Sequence, residues 1–220
     1  MNERAVPRVK ICGLTRPGDA AMVAAAGADF VGVILAPGFR RSLALERAAT
    51  VLDAAGACLR VGVFVDPSTE EITDAVGALR LDVVQLHGAE PPSSAVDARR
   101  AGAAAWKAVR PRSEGDVRRA VADWGDRVDG LLLDGYSPRA AGGVGARFDW
   151  AAAAAEWPAG SGPRRIVAGG LTPANVCDAV ERLAPDVVDV SSGVERTPGR
   201  KDATLVAGFL AAVATRAGAA

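Results

Sequence analysis

The chain has 220 residues, half of them apolar, with 26 basic and 26 acidic side chains and a formal net charge of zero. That length and composition suit one domain over residues 1–220 with a large core; the charge balance gives no footing for nucleic-acid binding or for attraction to an anionic membrane surface. Cys12, Cys58 and Cys177 are too few and too widely spaced for a disulfide framework or a metal site, no leader-like segment opens the chain and no membrane-length apolar run occurs, so a cytoplasmic protein is expected.

Eight short β-branched runs alternate with eight longer, alanine-rich segments. In chain order the predicted strands are 9–12, 30–35, 60–65, 82–86, 105–109, 128–133, 165–168 and 186–190. Runs this apolar suit strands buried on both faces, as in a parallel sheet. The predicted helices are 17–26, 45–55, 68–79, 92–101, 114–124, 150–156, 173–183 and 203–215. Pro17 belongs in a first helical turn and Gly27 beyond a helix end. The alanine runs are read as helix filler. Several strands are announced by an aspartate, as in Gly27-Ala28-Asp29 and Ala184-Pro185-Asp186.

Eight strand–helix units with nothing left over predict an α/β fold of the closed (β/α)₈ TIM-barrel type. An open Rossmann sheet calls for Gly-x-Gly-x-x-Gly after the first strand, where this chain reads Cys12-Gly13-Leu14-Thr15-Arg16.

In such a barrel the chemistry gathers at the carboxyl ends of the strands. Cys12 ends the first strand, and Lys10, two residues earlier, shares its direction. A nearby ammonium is expected to lower the thiol pKa. Cys58 and Cys177 are assigned to helical segments and read as core. Asp134 follows the uncharged run Leu131-Leu132-Leu133, a setting that suits a proton donor. Residues 135–147 form a long loop that includes Gly142, Gly143 and Gly145, with the length of a lid or binding loop. Gly169 and Gly170 end the seventh strand; Ser191, Ser192 and Gly193 end the eighth. Small residues at those two ends predict a phosphate cradle, to which Gly142, Gly143 and Gly145 of the long loop are also assigned. Arg40 and Arg41 follow the second strand, where one guanidinium can grip a carboxylate. Gln85 and His87 end the fourth, His87 as a second candidate for the base. This set suits proton transfer on a phosphorylated small molecule with no cofactor and no metal.

These stretches resemble the phosphoribosylanthranilate isomerases of tryptophan biosynthesis. The likeness runs through Val9-Lys10-Ile11-Cys12-Gly13, Val61-Gly62-Val63-Phe64, Val84-Gln85-Leu86-His87-Gly88 and Leu132-Leu133-Asp134. It continues through Gly142-Gly143-x-Gly145, Phe148-Asp149-Trp150, Gly169-Gly170-Leu171 and Asp189-Val190-Ser191-Ser192-Gly193-Val194-Glu195, in the family's order and over nearly the whole chain. The resemblance implies an Amadori rearrangement of N-(5-phosphoribosyl)anthranilate, with Cys12 as general base and Asp134 as general acid. It places the carboxylate-binding arginine at Arg41, although Phe39 stands where the family's loop has serine. Phosphorylated small molecules are thus the expected partners, in a monomer or homodimer.

Three other readings fit less well. A related barrel isomerase of histidine biosynthesis resembles a duplicated half-barrel with an aspartate after strand one and a second glycine-rich phosphate loop after strand three. Here those places hold Cys12 and Val65-Asp66-Pro67-Ser68-Thr69-Glu70. A phosphate-binding barrel without chemistry predicts the loss of Cys12 or Asp134. A thiamine-phosphate-synthase-like transferase calls for acidic magnesium ligands at the strand ends.

Overall fold

The structure, a computed structural model, describes residues 6–113, 115–135, 150–157 and 162–215. Strands β1 (Arg8–Ile11), β2 (Phe30–Ile34), β3 (Leu59–Phe64), β4 (Val83–Leu86), β5 (Ala104–Val109), β6 (Gly130–Asp134), β7 (Arg164–Ala168) and β8 (Val187–Val190) form a closed barrel in sequence order. All are parallel, and β1 closes on β8 with Lys10 opposite Asp189. The helices α1 (Pro17–Ala25), α2 (Leu45–Asp53), α3 (Thr69–Leu79), α4 (Ser93–Arg100), α5 (Asp116–Trp124), α6 (Trp150–Glu156), α7 (Val176–Leu183) and α8 (Ala203–Ala214) follow the strands in turn. Among the described residues no helix is long and apolar enough to cross a membrane.

Alternation along each strand divides the apolar side chains into two cores. Phe30, Val61, Val83, Trp106, Leu132, Ile166 and Val187 turn inward and fill the barrel. Their neighbours Val31, Val84, Ala105, Leu131, Val167 and Val188 turn outward against helical residues such as Val51, Ile72, Val176 and Phe209. A strand used on both faces must be apolar in both registers, which is why the strand runs show no polar alternation.

The strand-leading aspartates have a common task. Each precedes an even-numbered strand and clamps one residue of the strand before it. Asp29 accepts from Val9 N at 2.8 Å, Asp82 from Arg60 N at 2.7 Å, Asp129 from Ala105 N at 2.8 Å and Asp186 from Arg165 N at 2.7 Å. Each aspartate's own N–H donates to the carbonyl of that same residue at 2.8–3.0 Å. The amino end of the barrel is therefore fastened in four pairs, and each carboxylate satisfies an N–H that the ladder leaves over.

Two helix starts are fixed by side-chain caps. Ser68 and Glu71 form a reciprocal capping box at α3, and Asp202 accepts from Thr204 N and Leu205 N at α8. α7 begins at Val176, three residues later than predicted, because Asn175 folds back: its side chain accepts from Thr172 N at 2.8 Å and donates to Gly170 O at 2.9 Å. One feature corrects the expectation of nothing beyond eight units. After β8 a short 3₁₀ turn (Ser192–Val194) leads into an antiparallel hairpin, β9 (Glu195–Thr197) and β10 (Arg200–Lys201), turning through Gly199.

Asp129→Ala removes a clamp and the paired contacts of Asp129 with Arg99 at 3.0 and 3.2 Å. With that carboxylate partly exposed, the expected loss is about 1–2 kcal/mol in urea unfolding. An unchanged midpoint would show the clamps to be incidental.

Candidate active site

The carboxyl end of the barrel is built on the β1–β8 seam. Lys10 and Asp189 are both buried and face inward, and Lys10 Nζ donates to Asp189 Oδ2 at 2.9 Å. Cys12 follows on the same face, one step past β1, with its N–H on Val190 O at 2.8 Å. Gly32 of β2 makes room for this pair: a Cβ there would lie 3.0 Å from Cys12 Sγ and 3.2 Å from Lys10 Cε. The shared direction of Lys10 and Cys12 is thus present.

Its expected lowering of the thiol pKa is present too, but burial outweighs it. Burial pushes the Cys12 thiol above its ordinary range; Lys10 opposes that rise, and the Asp189 carboxylate adds to it. For Lys10, burial disfavours the ammonium, yet Asp189 and Cys12 together hold it above the usual lysine value. The net rise has burial as its first cause: desolvation of the thiolate outweighs the ammonium, whose partner Asp189 offsets part of its effect.

Beneath Cys12 lies a second buried cation. Lys201, from the hairpin, donates to Cys12 O at 2.7 Å, Ser191 O at 3.0 Å and Glu195 Oε1 at 2.9 Å. Glu195 in turn accepts a two-point bond from Arg41, Nε at 2.8 Å and Nη2 at 2.6 Å. Burial works against the Glu195 carboxylate, but Arg41 and Lys201 hold its pKa below the ordinary range. Arg41 lies against Gly13, beside Cys12, whereas Arg40 is exposed. Loops seven and eight meet closely: a Cβ on Gly193 would fall 1.8 Å from Leu171 O, and Gly169 and Gly170 both adopt left-handed backbone, φ +87° and +67°. Ser191 and Ser192 complete that rim. Gly142, Gly143 and Gly145 lie outside the described residues.

Opposite, three side chains form a chain of contacts. Gln85 Nε2 lies 3.0 Å from His87 Nδ1, and His87 Nε2 lies 3.1 Å from Asp134 Oδ2. Arg110 Nε approaches the same Asp134 oxygen at 3.4 Å. The loop that carries His87 is pinned from below by Lys107, which donates to Gly88 O at 2.7 Å and Glu90 Oε2 at 2.6 Å. Glu90 Oε1 accepts from Gly88 N at 2.7 Å.

Sequence reasoning assigned no role to Asp189, Glu195 or Lys201. Asp189 had a signal: a charge inside a buried strand requires a partner, and Lys10 is the inward cation on the adjoining strand. Lys201 had none, since a lysine in a charged stretch looks like surface. Cys58 is also corrected. It lies in the turn before β3, with its thiol on Ala28 O at 3.1 Å, while Cys177 is in α7 as expected. A cavity of about 600 Å³ at the amino end, lined in part by Arg8, Phe30, Trp106 and Arg164, lies at the opposite end from these groups.

A thiol, a carboxylate–imidazole pair and a glycine-lined rim at the carboxyl end of a closed barrel define a (β/α)₈ enzyme equipped for acid–base chemistry. The sequence profile described as N-(5'phosphoribosyl)anthranilate (PRA) isomerase matches residues 9–212. The N-(5'-phosphoribosyl)anthranilate isomerase of Thiobacillus denitrificans is 43% identical over 204 residues, covering 92% of this chain and 96% of that protein. The crystal structure of phosphoribosyl anthranilate isomerase from Thermotoga maritima superposes with a TM-score of 0.83 at 34% identity, covering 95% of this chain and 99% of that one. A phosphoribosyl anthranilate isomerase structure in complex with reduced 1-(o-carboxyphenylamino)-1-deoxyribulose 5-phosphate gives 0.80 at 32%, covering 95% and 99%. The chain belongs to the N-(5'-phosphoribosyl)anthranilate isomerase family.

Lys10→Met leaves Asp189 buried and unpaired, so a stability loss of about 3–5 kcal/mol is expected, with slower alkylation of Cys12 as its thiol pKa climbs further. The double variant Lys10→Met/Asp189→Leu should recover most of that stability in urea titrations. No recovery would show that the pair is not the source of the loss.

Proposed function

We propose that this protein catalyses the Amadori rearrangement of N-(5-phosphoribosyl)anthranilate to 1-(2-carboxyphenylamino)-1-deoxyribulose 5-phosphate, with Cys12 as general base and Asp134 as general acid. The observation that carries the reading is the placement of both groups at the carboxyl end, Cys12 following the inward Lys10 and Asp134 bonded to His87.

Asp134 protonates the ring oxygen, the C1–O bond breaks and the furanose opens to an iminium. Cys12 thiolate removes the proton from C2, giving an enolamine. That species tautomerises to the ketone: one proton reaches C1 and one leaves the enol oxygen, which returns both side chains to their starting forms. The working form therefore has a proton on Asp134 and none on Cys12. A buried thiol with a raised pKa is a strong base when ionised and is sparsely ionised at rest, so base strength is gained at the expense of population. Backbone amides around Gly170 and Gly193 suit the phosphate, with Gly169, Ser191 and Ser192 on the same rim. Arg41, beside Gly13, suits the anthranilate carboxylate. Glu195 takes two of its five N–H donors and fixes the plane of the guanidinium.

The test follows the loss of substrate fluorescence when purified protein meets freshly made N-(5-phosphoribosyl)anthranilate. Turnover is expected from the wild type, with kcat reduced about 10²–10⁴-fold in Asp134→Asn and in Cys12→Ser. Wild-type kcat in either variant removes that residue from the mechanism. Arg41→Ala should raise KM more than it lowers kcat, since a charge-assisted bond of about 1.5–3 kcal/mol is lost. The same effect from Arg40→Ala instead would move the carboxylate site to the neighbouring guanidinium.

A further inference from the structure

The partners of Asp134 carry more than its position. Gln85 projects inward from β4, is 1% exposed, and reaches His87 Nδ1 with its amide nitrogen. Its amide oxygen is buried with no hydrogen-bond partner. A primary amide has nearly the same outline with oxygen and nitrogen exchanged, so a half-turn about Cγ–Cδ requires little movement around it. In the orientation observed, Gln85 donates to Nδ1. The neutral ring then carries its proton on Nε2, directed at Asp134 Oδ2 3.1 Å away.

After the half-turn Oε1 faces Nδ1 and bonds to it only if that nitrogen carries a proton. The line from Nε2 to Oδ2 then holds one proton more than before. It lies on the ring, as imidazolium facing carboxylate, or on Asp134, as carboxylic acid facing a neutral ring. Since nothing else bonds the amide oxygen in place, the protonation of His87 decides which way Gln85 turns.

We propose that Gln85 is a positioning residue whose amide turns over so that the His87–Asp134 pair can take up and hold the proton that Asp134 delivers. The proposal rests on the acid role given to Asp134 above and adds where its proton is kept. The surrounding charges make such a device useful. Arg110, from the end of β5, favours the Asp134 carboxylate and so works against the acid form. Lys107 and Glu90 neutralise each other below the loop, and Asp66 is occupied by Ala89 N at 2.7 Å. Across the barrel, Lys10 and Asp189 are paired beside Cys12.

His87 is the only histidine in the chain, so ring ¹⁵N signals from histidine-labelled protein report its tautomer unambiguously. In the wild type the expected spectrum is one Nε2–H tautomer at alkaline pH, with Nδ1 gaining a proton on acidification, as imidazolium or as an Nδ1–H ring facing protonated Asp134. Gln85→Met can neither donate nor accept. It should populate both neutral tautomers, lower kcat about tenfold with little change in KM, and move the acid limb of kcat down by about one pH unit, because the proton is held less firmly. Gln85→Glu offers a permanent acceptor to Nδ1 and should place that limb above that of Gln85→Met. Should Gln85→Met fold poorly, Gln85→Glu compared with the wild type still decides, since its limb must then lie above the wild-type one. Identical tautomers and superimposable pH profiles in the wild type and the folded variants would overturn the proposal. The ring signals need no turnover, so they test the relay even if Asp134→Asn proves active and the acid assignment fails.

Discussion

The barrel closes where Lys10 meets Asp189, and the site depends on that one contact. The two residues stand 179 positions apart in sequence and opposite each other in the β1–β8 ladder. A buried ion pair adds little net stability over a well-packed apolar pair, because desolvation consumes most of the attraction. Its effect here is on register. A one-residue slip of β1 against β8 would turn Lys10 outward into the apolar layer and leave Asp189 unpaired inside, with several kcal/mol lost at each end. The same register brings Cys12 one step beyond the pair, and Lys201 then ties Cys12 O and Ser191 O together from below. One cation sets the seam and a second joins its two exits.

This arrangement has an electrostatic consequence for the chemistry. Placing the base in a dry seam raises its pKa, and pairing the nearest ammonium with a carboxylate offsets part of the help that ammonium gives. The acid faces the opposite difficulty, since Arg110, 3.4 Å away, favours its ionised form. A thiol inclined to keep its proton and a carboxyl inclined to lose one stand on opposite sides of the barrel, and the reaction requires the reverse distribution. The total proton count is unchanged by that exchange, so the active form is a redistribution within the site rather than a separately titrated state. Such a site depends on groups that can lodge a proton near the acid, and the imidazole between Gln85 and Asp134 is placed for it.

Much of the architecture was legible in the sequence, for identifiable reasons. Strands buried on both faces leave uninterrupted apolar runs, and helices between them leave alanine-rich stretches, so eight alternations and closure could be read directly. Cys12, Asp134, Gln85 and His87 were legible because each ends such a run. What could not be read depended on contacts distant in sequence. The parity of Lys10 and Cys12 is visible in four residues, but the anion that shares the ammonium is on the last strand. The β9–β10 hairpin leaves only Pro198-Gly199 as a mark, and its buried Lys201 is surrounded in sequence by residues that look solvated. The late start of α7 at Val176 turns on the fold-back of Asn175, which no periodicity encodes.

The two ends of the barrel divide the work by chemistry. At the amino end, aspartates accept backbone N–H groups, and the carboxylates are satisfied locally by residues one strand away. At the carboxyl end the charged groups are joined across several elements: Arg41, Glu195 and Lys201 link the second loop, the hairpin and β1, while Gln85, His87 and Asp134 link β4 to β6. Local satisfaction makes each clamp an independent and roughly additive contribution to stability, because neighbouring clamps share no partner. Shared partners make the mouth non-additive: removing Glu195 would release both the arginine proposed for the substrate and the lysine beneath the base. Coupling of that kind holds several reacting groups to one geometry, and it is confined to the end where a substrate enters.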